Sequence, residues 1–269
     1  MRALRIRETL TGASAFDGAA CAVLQNDTLS PRPRRLVPHL LRRFSAEDDA
    51  SIRAFCDQLA GWDFRYDLTA TAPIFFELVL QHWKRRVVDE RFPERLLATV
   101  TDPGSVTTRL IEADDLPWFR SDKAGALRHC ARQAVATVRA RFGADPSGWV
   151  WGALHRIVFR HPLSTEASAD TFDVGPRGVA GTADTVRNTG AGGIPPVAAD
   201  SGAEYRLVAD LSNPAGILAT QCLGQSGQPG SPHYADQFND WVAGRYHALS
   251  FDRPDGDEAD ARHLRLTPA

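Results

Sequence analysis

Six polar side chains crowd one short stretch near the end of the sequence: Gln225, Ser226, His233, Tyr234, Asp236 and Gln237. Together they could form a polar site, or they could tie down a loop by hydrogen bonds. Clusters of this kind more often do the second. Ser226, in Gly-Gln-Ser-Gly, invites comparison with a nucleophile elbow. Gly224 and Gly227 are too close together for that motif, however, and the strand–turn–helix setting is poor. His155 and His161 flank an apolar stretch and could serve as an acid–base pair or as metal ligands. No carboxylate recurs at ligand spacing, so two hydrogen-bonded structural histidines are the better reading. Cys21, Cys56, Cys130 and Cys222 include no Cys-x-x-Cys pair, which argues against zinc. Three of them fall on apolar helix or strand faces, as buried free thiols do.

These candidates must be positioned by the elements around them. The run Gly224–Gln237, rich in glycine and proline, breaks regular structure and hands over to a short helix. Phe238, Trp241 and Val242 share one face of it, and Gly244 stops it. Upstream the chain reads as helical: residues 2–11, about 16–26, a helix opened by Ser30-Pro31, one started by Ser45 with Asp48 and ended by Gly61, about 71–90, about 105–112 and about 123–142. Residues 149–160 alternate weakly. Residues 164–203 hold Gly, Ala, Thr, Asp and Pro without a sustained period, a long loop region with a short strand or two. Tyr205, Leu207, Ala209 and Leu211 fall on one face of a strand, and Ile217–Leu223 returns as its antiparallel partner. Helices first and strands later predict an α+β fold, with a helical segment over 1–145 and a β-rich segment over 146–269.

The 269 residues, 43% hydrophobic with a net charge near −2, describe an ordinary globular protein and not a nucleic-acid binder. No apolar run is long enough to span a membrane. Glu8 and polar residues stand where a signal peptide needs its apolar core, so no targeting segment is expected.

The spelling Gly-Gln-Ser-Gly at 224–227, followed by Ser231-Pro-His233-Tyr234-x-Asp236-Gln237-x-x-x-Trp241-x-x-Gly244-x-Tyr246, resembles the C-terminal signature of the penicillin acylase (penicillin amidase) family. Trp149-Val-Trp151-Gly152-Ala-Leu-His155, running on to Phe159-Arg-His161-Pro-Leu163, agrees with it. The resemblance covers roughly residues 2–251, in order. It implies the C-terminal part of an N-terminal-nucleophile (αββα) amide hydrolase, in which a Ser, Thr or Cys at a free N-terminus attacks the amide carbonyl and its own α-amino group takes the proton.

The same resemblance places the nucleophile, the oxyanion-hole residues and a calcium site upstream of this sequence. The expectation is thus a fragment, inactive alone, with no cofactor of its own. Its partners would be a small N-acyl amide (a β-lactam side chain or an N-acyl homoserine lactone) and an N-terminal half or α subunit; no nucleic acid or membrane is expected. Parent proteins of the family are often periplasmic or secreted. Arg2 stands where the family has a pocket arginine that helps to position the oxyanion-hole asparagine, while Trp151, Gly152, His155 and the 224–237 residues belong to structural motifs, with Trp151, His155 and the 224–237 loop expected to form one packed C-terminal unit. The alternative is a non-catalytic structural or complementing subunit. Strands 205–211 and 217–223 are expected to leave an apolar face open to water in the isolated chain.

Overall fold

The computed structural model describes residues 1–45, 47–93, 96, 104–113, 122–191, 199–213 and 216–249. Helices lead the chain: α1 (Arg2–Thr11), α2 (Gly18–Gln25), α3 (Pro31–Phe44), α4 (Ala50–Ala60), α5 (Ala72–Arg91), α6 (Gly104–Glu112) and α7 (Lys123–Phe142). A one-turn helix α8 (Trp151–Leu154) runs directly into β1 (Arg156–Phe159). Then come α9 (Ala169–Phe172), β2 (Val174–Gly178), β3 (Thr189–Ala191), β4 (Ala199–Gly202), β5 (Tyr205–Ala209), β6 (Ile217–Gln221), α10 (Phe238–Ala243) and β7 (His247–Leu249). The chain is α+β.

Local signals explain most helix starts. The Ser30 hydroxyl accepts from the Arg32 N–H at 3.3 Å, and Pro31 pre-sets the first helical residue of α3. The expected start of α4 at Ser45 with Asp48 is corrected: Asp49 caps it. One Asp49 carboxylate oxygen accepts from the N–H groups of Ser51 and Ile52 at 2.7 and 3.3 Å. A carboxylate is a stronger acceptor for these amides than a hydroxyl, and the bonds hold the Asp49 carboxyl below its ordinary pKa.

The centre of the helical part is α5. Its first turns are enclosed on every side, with Ile74, Phe75, Phe76, Leu78, Val79 and Trp83 all buried. A helix apolar all round must be surrounded, and α3, α4, α6 and α7 lie about this core. Phe55 of α4 stacks on Phe75 with ring centroids 4.6 Å apart and on Trp149 at 5.6 Å, so the segment after α7 is drawn into the same core.

The strands form two sheets. In the first the order is β2-β1-β4-β3; its pairs are antiparallel except β1–β4, which is parallel. In the second, β5, β6 and β7 follow in sequence order, all antiparallel. Ile157, Val179, Ala199, Phe238, Trp241 and Val242 make a second core, with Phe159 meeting Trp241 edge-on at 5.8 Å. The stretch expected to be mostly loop, 164–203, thus carries α9 and three strands. Its small residues hide the strand period but allow backbones to approach closely.

The strand at 205 ends at Ala209, short of the expected Leu211, and its apolar face is the one left open to water, as expected. Arg206 and Val208 point inward, and Tyr205, Leu207 and Ala209 are exposed. The inward arginine lies over the Trp241 ring at 5.0 Å and donates to the Trp241 carbonyl at 3.0 Å. Stacking and hydrogen bonding together make it a core residue.

Inside the first core Tyr66 Oη donates to Glu77 Oε1 at 2.6 Å. Burial pushes the Glu77 carboxyl above its ordinary 4.5, against the pull of the Arg32 guanidinium. A raised acid makes the folded state the better proton binder. Stability is therefore lost as pH rises from the unfolded value through the folded one, and regained on acidification. Glu77→Gln keeps an acceptor for Tyr66 and carries no charge. The variant should be more stable than the wild type at about pH 7, and the gap should narrow as pH is lowered to about 5. Thermal denaturation of both proteins across that range checks this; a gap that does not change with pH would count against it.

Candidate functional site

The polar stretch 224–237 is a locked loop. The Gly224 N–H donates to the Tyr234 carbonyl and the Ser226 N–H to the His233 carbonyl, both at 3.0 Å, so the two limbs of the loop pair like a small ladder. Gly224 is needed for this approach, since a Cβ there would stand 1.9 Å from the His233 carbonyl oxygen. The side chains reinforce the backbone. Ser226 Oγ accepts from the Gln228 N–H, Ser231 Oγ accepts from the His233 N–H, and Tyr234 Oη donates to the Phe172 carbonyl. Gln237 Oε1 accepts from the Gln221 N–H, tying the loop to the end of β6.

His233 Nδ1 lies 2.8 Å from Asp236 Oδ2, an imidazole–carboxylate pair of which the histidine is 66% exposed. The pair stands within the loop that Ser226 and Ser231 brace by accepting from backbone N–H groups, and it serves that loop. Gln225 and Gly227 sit within the same turn; a Cβ on Gly227 would meet nothing within 4 Å.

Trp151, Gly152 and His155 belong elsewhere. An expectation that they pack with the 224–237 loop as one unit is corrected: Trp151 sits in the helical core, edge-on to Tyr66 at 5.2 Å. Its indole N–H donates to the Gly181 carbonyl at 3.0 Å, and the Trp151 and Gly152 amides donate to Ala70 and Leu68. The imidazole of His155 stacks on the indole at 4.5 Å and is fully buried. Its Nε2 lies 3.1 Å from both the carbonyl and the hydroxyl oxygen of Thr189, and that hydroxyl donates to Ala180. The hydroxyl proton being committed, His155 Nε2 must be the donor, and the contact is structural. His161 stacks on Phe172 at 5.1 Å, and its Nδ1 accepts from the Leu163 N–H. The two histidines serve different packing contacts.

No group of three or more His, Cys, Asp or Glu side chains placed to hold a metal ion occurs among the described residues. Burial pushes the Cys56 thiol to about 11 and Cys130 to about 12, values that keep both protonated and unreactive at neutral pH.

Arg2 is exposed at the start of α1. One turn later Arg5 turns inward, a residue whose importance sequence spacing does not reveal. Arg5 Nε and Arg65 Nη1 hold the two oxygens of Asp27 at 2.6 and 2.9 Å, and Asp27 Oδ1 also takes the Leu29 N–H. The Arg187 N–H donates to the Asp27 carbonyl at 3.0 Å. These residues line or back a cavity of about 610 Å³ between α1, α2 and the segment after α10. Asn26 on its wall donates to the Gly244 carbonyl and to Tyr246 Oη. Gly244 adopts φ +73 there, a left-handed turn ending α10. Positions 5, 27, 65 and 187 share no periodicity, so only the fold brings them together.

Comparison with known proteins places this geometry in a family. The model for penicillin amidase matches residues 1–258. A penicillin acylase 2 proenzyme from a Pseudomonas species is 29% identical over 252 residues, which is 89% of this chain and 32% of that protein. An acyl-homoserine lactone acylase (QuiP) from Pseudomonas syringae pv. syringae is 25% identical over 78% of this chain and 28% of its own length. Among solved structures, a thermostable penicillin G acylase from Alcaligenes faecalis superposes with a TM-score of 0.51, covering 90% of this chain and 48% of that one at 17% identity, a likeness of fold. The chain spans about a third of the length of these curated relatives. Matched along nearly its whole length, with the signature stretches at 149–163 and 224–246 folded as described, the chain belongs to the penicillin amidase family.

Proposed function

We propose that this chain supplies the helical arm and terminal sheet of an N-acyl amide hydrolase whose nucleophile is carried by polypeptide outside these 269 residues. The observation that carries the reading is an apolar face that the described residues leave largely open. α2 reads Gly-Ala-Ala-Cys-Ala-Val-Leu-Gln, yet none of its residues is buried, and Val23 is 73% exposed. β5 lies alongside, with Gln25 Nε2 donating to the Leu207 carbonyl, and presents Tyr205 at 57% and Leu207 at 43%. Leu4 and Leu10 of α1 are exposed as well. Apolar patches of this kind mark surfaces that another body covers. The body assigned here is the remaining part of a penicillin-amidase fold, in keeping with relatives about three times as long.

In the assembled protein an N-terminal hydroxyl or thiol would attack the amide carbonyl, its own amine accepting the proton at a pKa near ~8. Backbone and asparagine donors would hold the oxyanion. Arg2, at the exposed start of α1, is the residue of this chain assigned to that pocket, where it would orient the oxyanion-hole asparagine. The hydroxyls that lie nearest histidines here are committed elsewhere: Thr189 Oγ1 donates to Ala180 and Thr137 Oγ1 to Gln133. The relatives' names, penicillin acylase and acyl-homoserine lactone acylase, point to N-acyl amides as substrates.

Express the chain alone and together with the polypeptide encoded upstream of it, and assay chromogenic phenylacetyl and long-chain acyl amides. Turnover is expected only from the pair. Burst kinetics from the chain alone, abolished by replacing one of its residues, would refute the proposal. In the pair, Arg2→Ala should lower kcat by about 10–100-fold through loss of orientation. The melting temperature of the chain should stay unchanged, because Arg2 is exposed.

A further inference from the structure

α1 has little of its own to hold it. It is ten residues long, its N-cap residue Met1 makes no side-chain capping bond, and none of its residues is buried. No α1 side chain belongs to either apolar core. A helix of this length is marginal without tertiary fastening. Among the described residues two ion pairs fasten it. Glu8 meets Arg34 where both are open to water, at 31% and 43%, and an exposed pair contributes little. Arg5 Nε meets Asp27 Oδ2 at 2.6 Å, and Asp27 is only 7% exposed. The second pair is the stronger fastening, because charges shielded from water attract each other more.

The Asp27 end of this pair is fixed independently of α1. Its Oδ1 accepts from Arg65 Nη1 at 2.9 Å and from the Leu29 N–H at 3.1 Å, which leaves Oδ2 for Arg5. Its carbonyl accepts from the Arg187 N–H, and its own N–H donates to the Leu24 carbonyl. The chain just after it pairs with the segment before α5: the Tyr66 N–H donates to the Thr28 carbonyl and the Ser30 N–H to the Phe64 carbonyl, both at 3.0 Å. Tyr66 is fully buried in the helical core. The carboxylate is thereby referred to that core, and Arg5 carries the reference to α1. Arg2 lies one turn earlier on the same side of the helix, about 4.5 Å along its axis.

We propose that Arg5 is a positioning residue: its bond to Asp27 sets how α1 lies against the rest of the chain, and with it the place of the Arg2 guanidinium. The step from Arg5 to Arg2 rests on the amide-hydrolase reading; the hold of Arg5 on α1 does not. A misplacement of about 1 Å can cost about 100-fold in rate, so a small tilt of α1 is enough to matter.

Amide hydrogen exchange in the 269-residue chain reads the hold directly. Arg5→Gln should speed exchange across residues 6–11 by at least about 10-fold, while α5 and the melting temperature stay unchanged. Arg5→Lys, which keeps the charge, should recover most of the protection. Glu8→Gln removes only the exposed pair and should change exchange by less than about 2-fold. In the pair formed with the upstream polypeptide, Arg5→Gln should lower kcat about 10-fold with KM within about 2-fold, and Arg5→Lys should restore it. Because Arg5 acts through Arg2, adding Arg5→Gln to Arg2→Ala should cost nothing further. Unchanged exchange in Arg5→Gln, an equal effect of Glu8→Gln, or additive losses in the double variant would each overturn the proposal. A wild-type pair without turnover would instead sink the amide-hydrolase reading, and the exchange comparison would then decide the hold of Arg5 on α1.

Discussion

One indole holds the two parts of this protein together. Trp151 is fully buried, and a buried indole N–H needs an acceptor; here it is the Gly181 carbonyl, in the connection between β2 and β3. The Gly181 amide in turn donates to the Tyr66 carbonyl, and the Tyr66 ring packs edge-on against the same indole. A closed circuit results, running from the loop before α5 through α8 to the sheet and back. His155, stacked on the indole and bonded to Thr189, extends it to β3. Positions along the first sheet are referred to the helical core through these contacts. Truncating such a side chain costs roughly 3–5 kcal/mol, a large share of the ~5–15 kcal/mol that holds a typical domain folded.

Around this junction, polar residues that look chemical in the sequence turn out to be architectural. The 224–237 loop spends its serines, Tyr234 and Gln237 on backbone groups, and His155 and His161 each serve a different packing contact. The charges that stand out are the arginines around Asp27 and behind Asn26. They gather beside the apolar α2, none of whose residues is fully buried.

Much of this was legible in the sequence. Ser30-Pro31, the apolar stripe of α7 with Gly143 at its end, and Phe238-x-x-Trp241-Val242 before Gly244 each combine a period with a stop signal, and each folded as read. The signature stretches carried the family. The first sheet was hidden because its strands are only three to five residues long, and β2, β3 and β4, interrupted by Gly, Pro and Asp, show no apolar–polar alternation. In β5 the period of 2 was clear, but it did not reveal that an arginine stacked on tryptophan takes the inner side. The Asp27 cluster was illegible in principle, since its members come from α1, the chain after α2, the loop before α5 and the chain before β3.

The same long-range fastening governs how the chain can be made. α2 emerges early from the ribosome, yet it is secured by residues that come last: Gln25 bonds to Leu207 and to Tyr246, and Asn26 bonds to Gly244 across 218 positions. At ~5–20 residues per second, this apolar helix waits roughly 10–40 s for its strap. Even in the finished fold its residues are at most partly buried, so these late contacts are what fasten it. Biogenesis is therefore the vulnerable stage. A chain interrupted before Gly244 would keep the α5 core but leave α2 unfastened, a product suited to capture by chaperones or proteases.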